Sequence, residues 1–251
     1  MKNSKQRWRK CTGRIVKKCI ASLLIFAVCL SFFGCGSKGA KNSYRGADSP
    51  EEVISEFIQA ISNKESKEEL LKFCPAEWVA ENYNISDLPE QAKIYKEPEF
   101  HLENFQTQLP VLVGSLFLQE DGNIAEGYNL PDGFDPTRED AMRIMMENTD
   151  FFIQQLREPI IMLQCDPAFV AENASQSIEY FEINTQRLGV QDMAERIALI
   201  EYEGKTYMTG FTLAQYQEKW YIITLTSQSA QLSSAPGFRR ITPKDYEKRN
   251  W

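Results

Sequence analysis

Apolar and polar positions along the chain fall into three regimes. From Ile20 to Phe33 the residues are almost all apolar, without a period, over 14 positions. Val53, Ile54, Phe57, Ile58 and Ile61 then recur at helical spacing and make one apolar stripe. From Arg196 onward come short runs rich in β-branched and aromatic residues, separated by turn residues, which is strand patterning.

Local signals place the elements. Ser49 is an N-cap, Pro50 takes the first helical position and Glu52 completes a capping box, so a helix opens here and ends near Asn63. Ser66-Lys67-Glu68-Glu69 is a second capping box before Leu70, Leu71 and Phe73, and Pro75 starts a third short helix containing Trp78 and Val79. Residues 84–110 carry Pro89, Pro98 and Pro110 and hold no period, so they read as a long irregular connection. Residues 111–118 read as a buried strand, and Asp121-Gly122 as a hairpin turn leading to a return strand over 124–130. A long helix is expected from Asp135-Pro136 to Arg157, and a strand over 178–188. Strands over 196–202, 206–216 and 220–225, joined by Glu203-Gly204 and Gln217-Glu218, predict an antiparallel meander. Helices followed by antiparallel strands predict an α+β fold, with the N-terminal helices packed on a curved sheet. No βαβ alternation supports a dinucleotide-binding fold.

Charge refines this picture. Residues 1–34 hold eight Lys or Arg and no acid; with those set aside, 20 basic residues face 35 acidic ones, a net charge of −15. So acidic a domain repels phosphate backbones, which argues against nucleic acid as a partner.

The basic stretch followed by a 14-residue apolar run is too short to span a membrane and suits an export signal. It stops at Phe32-Phe33-Gly34-Cys35, which resembles the lipobox of bacterial lipoproteins. The resemblance implies cleavage between Gly34 and Cys35 and a diacylglyceryl group on the Cys35 thiol. Phe32 departs from the usual leucine of that motif. Residues 35–48, small and polar, read as a lipidated tether between membrane and domain. Cys11, Cys19 and Cys29 leave with the signal, so Cys74 and Cys165 are the cysteines of the folded part. Outside the cytosol they either form a disulfide or remain two buried thiols.

The domain is expected over 49–227 with an enlarged middle at 84–176, followed by a polar tail at 228–251. A helix opened by Ser-Pro-Glu-Glu, a second short helix and a meander ending Lys-Trp-Tyr-Ile-Ile resemble the nuclear-transport-factor-2-like, cystatin-like cone fold. That resemblance implies a bent sheet wrapped on a helix around a cone-shaped pocket, and it fixes no activity.

Candidate chemistry is sparse. His101, the single histidine, can act as a general base beside Glu99 or Glu103, or sit as an ordinary loop residue. One histidine precludes a His-rich metal site, and Ala125 and Gly127 break calcium-loop spacing after Asp121, so no metal or cofactor is expected. Met142, Met145 and Met146 with Phe151 and Phe152, and the meander tyrosines 202, 207, 216 and 221, are either core or a binding face. Arg239, Arg240, Lys244, Lys248 and Arg249 form a basic group late in an acidic chain. The reading is a membrane-anchored extracytoplasmic lipoprotein, a non-catalytic module for an envelope protein or a small ligand. The alternative is an enzyme using His101 or paired carboxylates in a pocket.

Overall fold

The computed structural model describes residues 44–119, 123–132, 134–135, 139–168, 174–228 and 236–248. Gly34, Cys35, the signal, most of the tether and the Asp121-Gly122 turn lie outside them.

Helix α1 (Pro50–Ser62) starts as its caps dictate. The Ser49 hydroxyl accepts the Glu52 amide at 3.1 Å, and the Glu52 carboxylate reaches back to the Asp48 amide at 3.0 Å. Its stripe is buried throughout, and each such side chain contributes roughly 1.5–3 kcal/mol. Phe57 lies at the centre, edge-on to Phe73, Phe105 and Phe211 with ring centroids 5.3–6.1 Å apart. Helices α2 (Lys67–Leu71) and α3 (Ala76–Asn82) follow as expected.

The middle departs from the sequence pattern. Where an irregular connection was expected, a 3₁₀ stretch (Glu90–Lys96) leads into helix α4 (Pro98–Gly114). Pro98 opens the helix at the position that needs no amide proton, and Pro110 is carried inside it. The strand expected over 111–118 is instead the last turn of α4 and a 3₁₀ turn (Ser115–Phe117). An apolar run has this ambiguity when a helix is enclosed on several sides, and Phe105, Leu109, Leu112 and Val113 are all fully buried. Leu118 and Ile124 do pair as an isolated antiparallel bridge. The long helix expected to Arg157 is divided at Asn148 into α5 (Ala141–Glu147) and α6 (Thr149–Gln154); the Asn148 amide side chain caps the Ile144 carbonyl at 2.8 Å. The strand expected over 178–188 is part of helix α7 (Ala174–Leu188). Gly189 ends it at φ +62, where a β-carbon would come within 2.6 Å of the Asn82 carbonyl.

The sheet, among the described residues, comprises β1 (Ile161–Pro167), β2 (Asp192–Tyr202), β3 (Lys205–Tyr216), β4 (Lys219–Thr224) and β5 (Arg239–Arg240). All pairs are antiparallel, in the order β1-β2-β3-β4 with β5 also on β3. The three-stranded meander stands as expected, and the fold is α+β.

Alternation divides each strand between two faces. The inner face, with Ala198, Ile200, Tyr202, Phe211, Leu213 and Ile222, packs on α1 and α4 in the main core. On the outer face, Ile197, Leu199 and Met208 are covered by Tyr246 of helix α8 (Pro243–Glu247). Further along that face, Met193, Ala214, Tyr216 and Tyr221 pack with Val79 and Leu188. The segment whose polar composition reads as a tail thus buries Phe238 and Tyr246 at 4% and 3% exposure. All these elements belong to one compact unit. Among the described residues no helix is long and apolar enough to cross a membrane.

Candidate ligand groove at the end of the sheet

The β2–β3 turn brings Lys205 and Tyr207 together at one end of the sheet. Tight reversal needs left-handed backbone at both turn positions, and Glu203 (φ 48) and Gly204 (φ 65) supply it. Register then sets Arg240 opposite Tyr207, on the inner face. The end of α4 supplies the facing wall. There the Ser115 hydroxyl donates to the Leu112 carbonyl at 2.6 Å and accepts the Phe238 amide at 2.7 Å, fastening the late segment to the helix. The Ala125 amide donates to the Phe117 carbonyl at 2.7 Å and holds the chain just after the Leu118–Ile124 bridge, where a turn at Glu126-Gly127 stands instead of the strand expected over 124–130.

Between these parts lies an open groove of about 670 Å³, lined by Ser115, Leu118, Gln119, Ala125, Lys205, Tyr207, Phe238 and Arg240. Its wall is apolar along Leu118, Ala125 and Phe238, and its rim is cationic. Lys205 pairs with Tyr202 through the backbone, and its exposed side chain has no hydrogen-bond or ion-pair partner among the described residues. Burial raises the pKa of Tyr207; the Arg240 guanidinium opposes that rise and the Glu203 carboxylate adds to it, so both charges reach this end of the groove.

A polar clamp fixes the neighbouring rim. The hydroxyls of Tyr128 and Tyr202 meet at 2.7 Å, Tyr128 donates to the Glu203 carboxylate at 2.7 Å, and the Arg157 amide donates to the Tyr202 hydroxyl at 3.0 Å. The Arg157 guanidinium lies 4.0 Å over the Tyr128 ring, whose other contact is the stacked Phe117 ring at 4.2 Å. Burial and the Glu203 carboxylate push the Tyr128 hydroxyl far above its ordinary range, so it stays a donor.

Of the residues singled out from sequence, Tyr207 and Arg240 line the groove, Tyr202 supports its rim, and His101 does neither. The His101 ring, opening α4, bonds the Tyr95 carbonyl at 2.9 Å and neighbours Tyr83 at 5.9 Å between centroids. Burial lowers its pKa, so it is neutral near pH 7. Tyr216 and Tyr221 sit on the outer face around Trp78. Met145 packs on the main core, whereas Met142 is exposed. Lys248 pairs with Asp245 at 3.0 Å, and Arg249 lies outside the described residues. Cys74 and Cys165 are both free thiols. Burial pushes each to about 12; Cys165 has Glu51, Arg196 and Asp166 as its charged neighbours, while Cys74 is enclosed completely. No group of three or more His, Cys, Asp or Glu among the described residues is placed to hold a metal ion.

Glu195 gave no signal in the sequence because it precedes the strand expected over 196–202, whereas β2 begins at Asp192. It is 2% exposed and accepts hydrogen bonds from Ser227 at 2.7 Å, the Gln228 amide at 3.2 Å and Thr212 at 3.4 Å. Tyr180 of α7 also bonds it, and burial together with this carboxylate pushes the phenol to about 12. The carboxylate thus pins α7 and the end of β4 to the outer face, beside a smaller cavity of about 260 Å³.

No family model matches the chain, and no curated protein does. A solved structure similar to it is a cystatin-like protein from Ruminococcus gnavus ATCC 29149, at 17% identity and a TM-score of 0.43. The match covers 85% of this chain and 46% of that protein, so the chain spans less than half the length of its structural relative.

Proposed function

We propose that the protein is an extracytoplasmic lipoprotein, held at the membrane through Cys35, whose α+β domain is a non-catalytic binding module with a small ligand in the groove. The groove carries this reading. It has the volume of a small-molecule site, an apolar wall and a few convergent polar groups. The cone of nuclear-transport-factor-2-like proteins is the architecture we infer, on the strength of α1 and α4 packed on the inner face above a closing meander. The His101 form of the enzyme alternative draws no support from the geometry, because that ring is engaged by Tyr95 and does not line the groove.

Two measurements test this reading. Cells fed an alkyne fatty acid should label the wild-type chain and leave Cys35→Ala unlabelled and released from the membrane fraction; equal labelling of both overturns the anchor. A small-molecule thermal-shift screen of the wild type should give hits that Leu118→Gln abolishes. Hits indifferent to Leu118, an exposed groove residue, would remove the groove from the proposal.

A further inference from the structure

The groove combines three features that together specify a ligand. One wall is apolar, formed by Leu118, Ala125 and Phe238. Two cations, Lys205 and Arg240, stand on the sheet side, and neutral donors and acceptors, Ser115, Gln119 and Tyr207, lie between. A neutral apolar ligand would make no use of the exposed Lys205 ammonium or of the Arg240 guanidinium on the same face of β3. A polyanion would meet the rest of the domain, whose net charge of −15 excluding residues 1–34 repels it over several Debye lengths of chain. A small molecule with one negative charge escapes that penalty, since repulsion from acids beyond about 8–10 Å is screened while the nearby cations act directly.

We propose that the groove binds small amphipathic organic acids, with the acid group between Lys205 and Arg240 and the apolar body along Leu118, Ala125 and Phe238. This deepens the proposed function and rests on the groove being the ligand site. Charge-assisted hydrogen bonds are the strong ones, so the acid should bind at least about tenfold more tightly than its uncharged amide.

The test uses the full-length chain in neutral phospholipid nanodiscs, with empty discs as the blank, read by ligand ¹⁹F NMR. The probes are 4-(trifluoromethyl)phenylacetate and the corresponding amide. The expected result is tighter binding of the acid, loss of that preference in Lys205→Gln and in Lys205→Gln/Arg240→Gln, and unchanged amide binding. Lys205→Gln keeps the test decisive even where loss of Arg240 disturbs β5, because Lys205 is exposed beside a turn. Equal binding of acid and amide, with both lost in Leu118→Gln, overturns the charge selectivity and leaves the groove standing. Binding of neither probe, or acid binding indifferent to Leu118 and to both cations, overturns the groove itself.

Discussion

The Thr209 hydroxyl is the one side-chain group among the described residues that is both buried and without a hydrogen-bond partner. It sits on the inner face of β3 opposite Ala198, completely enclosed by the main core's side of the sheet. A buried hydroxyl without a partner costs about 1–3 kcal/mol, and valine has the same shape. Thr209→Val should therefore raise stability by about 1 kcal/mol in urea unfolding, and a loss would mean that the hydroxyl is satisfied in solution. His101 gives a second residue-level prediction. Its folded pKa lies below the ordinary 6.5, so the unfolded chain takes up a proton first as pH falls. Its contribution is intact above 6.5 and declines as pH drops from there toward the folded value. Urea midpoints at pH 7.5 and 5.5 should differ less for His101→Phe than for the wild type. Neither behaviour is visible in sequence: Thr209 is enclosed by the assembled core, and His101 is enclosed by Tyr83, Tyr95 and Phe100 within a stretch whose prolines read as an irregular connection.

At the scale of elements, legibility followed how much of an element's environment is local. Helix α1 was readable because Ser49, Pro50 and Glu52 define its start and one face alone is buried. The meander was readable because its turns are two residues long. Helix α4 was not, since burial on several sides erases the period and its prolines read as breaks. Helix α7 mixes buried Leu188 with exposed Ile183, which from sequence resembles a loose alternation. The β3–β4 turn holds Gln217 at φ 50 and Glu218 at φ 64, two left-handed residues that are not glycine. Such backbone costs roughly 1–2 kcal/mol per residue. Glu218→Gly should stabilise the protein by about 0.5–1 kcal/mol while keeping the amide bond to Gln191, as checked by the midpoint of chemical unfolding.

For the whole molecule, the α+β outline was legible in the sequence, whereas the groove had to be assembled by folding. Its walls come from residues 115–119, Ala125, residues 205–207 and residues 238–240, and no spacing rule links them. The arginine pair drew notice only as charge in an acidic chain, and pairing with β3 then separated its members. Arg240 shares the face of Tyr207, whereas Arg239 shares that of Met208. From Phe238 to Tyr246 the chain therefore serves two sides of the sheet, completing the groove on one and roofing Ile197 and Leu199 on the other. A polypeptide leaves a ribosome or a translocation pore from its N-terminus. Helices, meander and facing wall are thus all delivered before the stretch that finishes the groove. Until that stretch docks, the domain has neither a complete groove nor a cover over Ile197, Leu199 and Met208. The groove and the cover of the outer face are therefore completed by the same late segment.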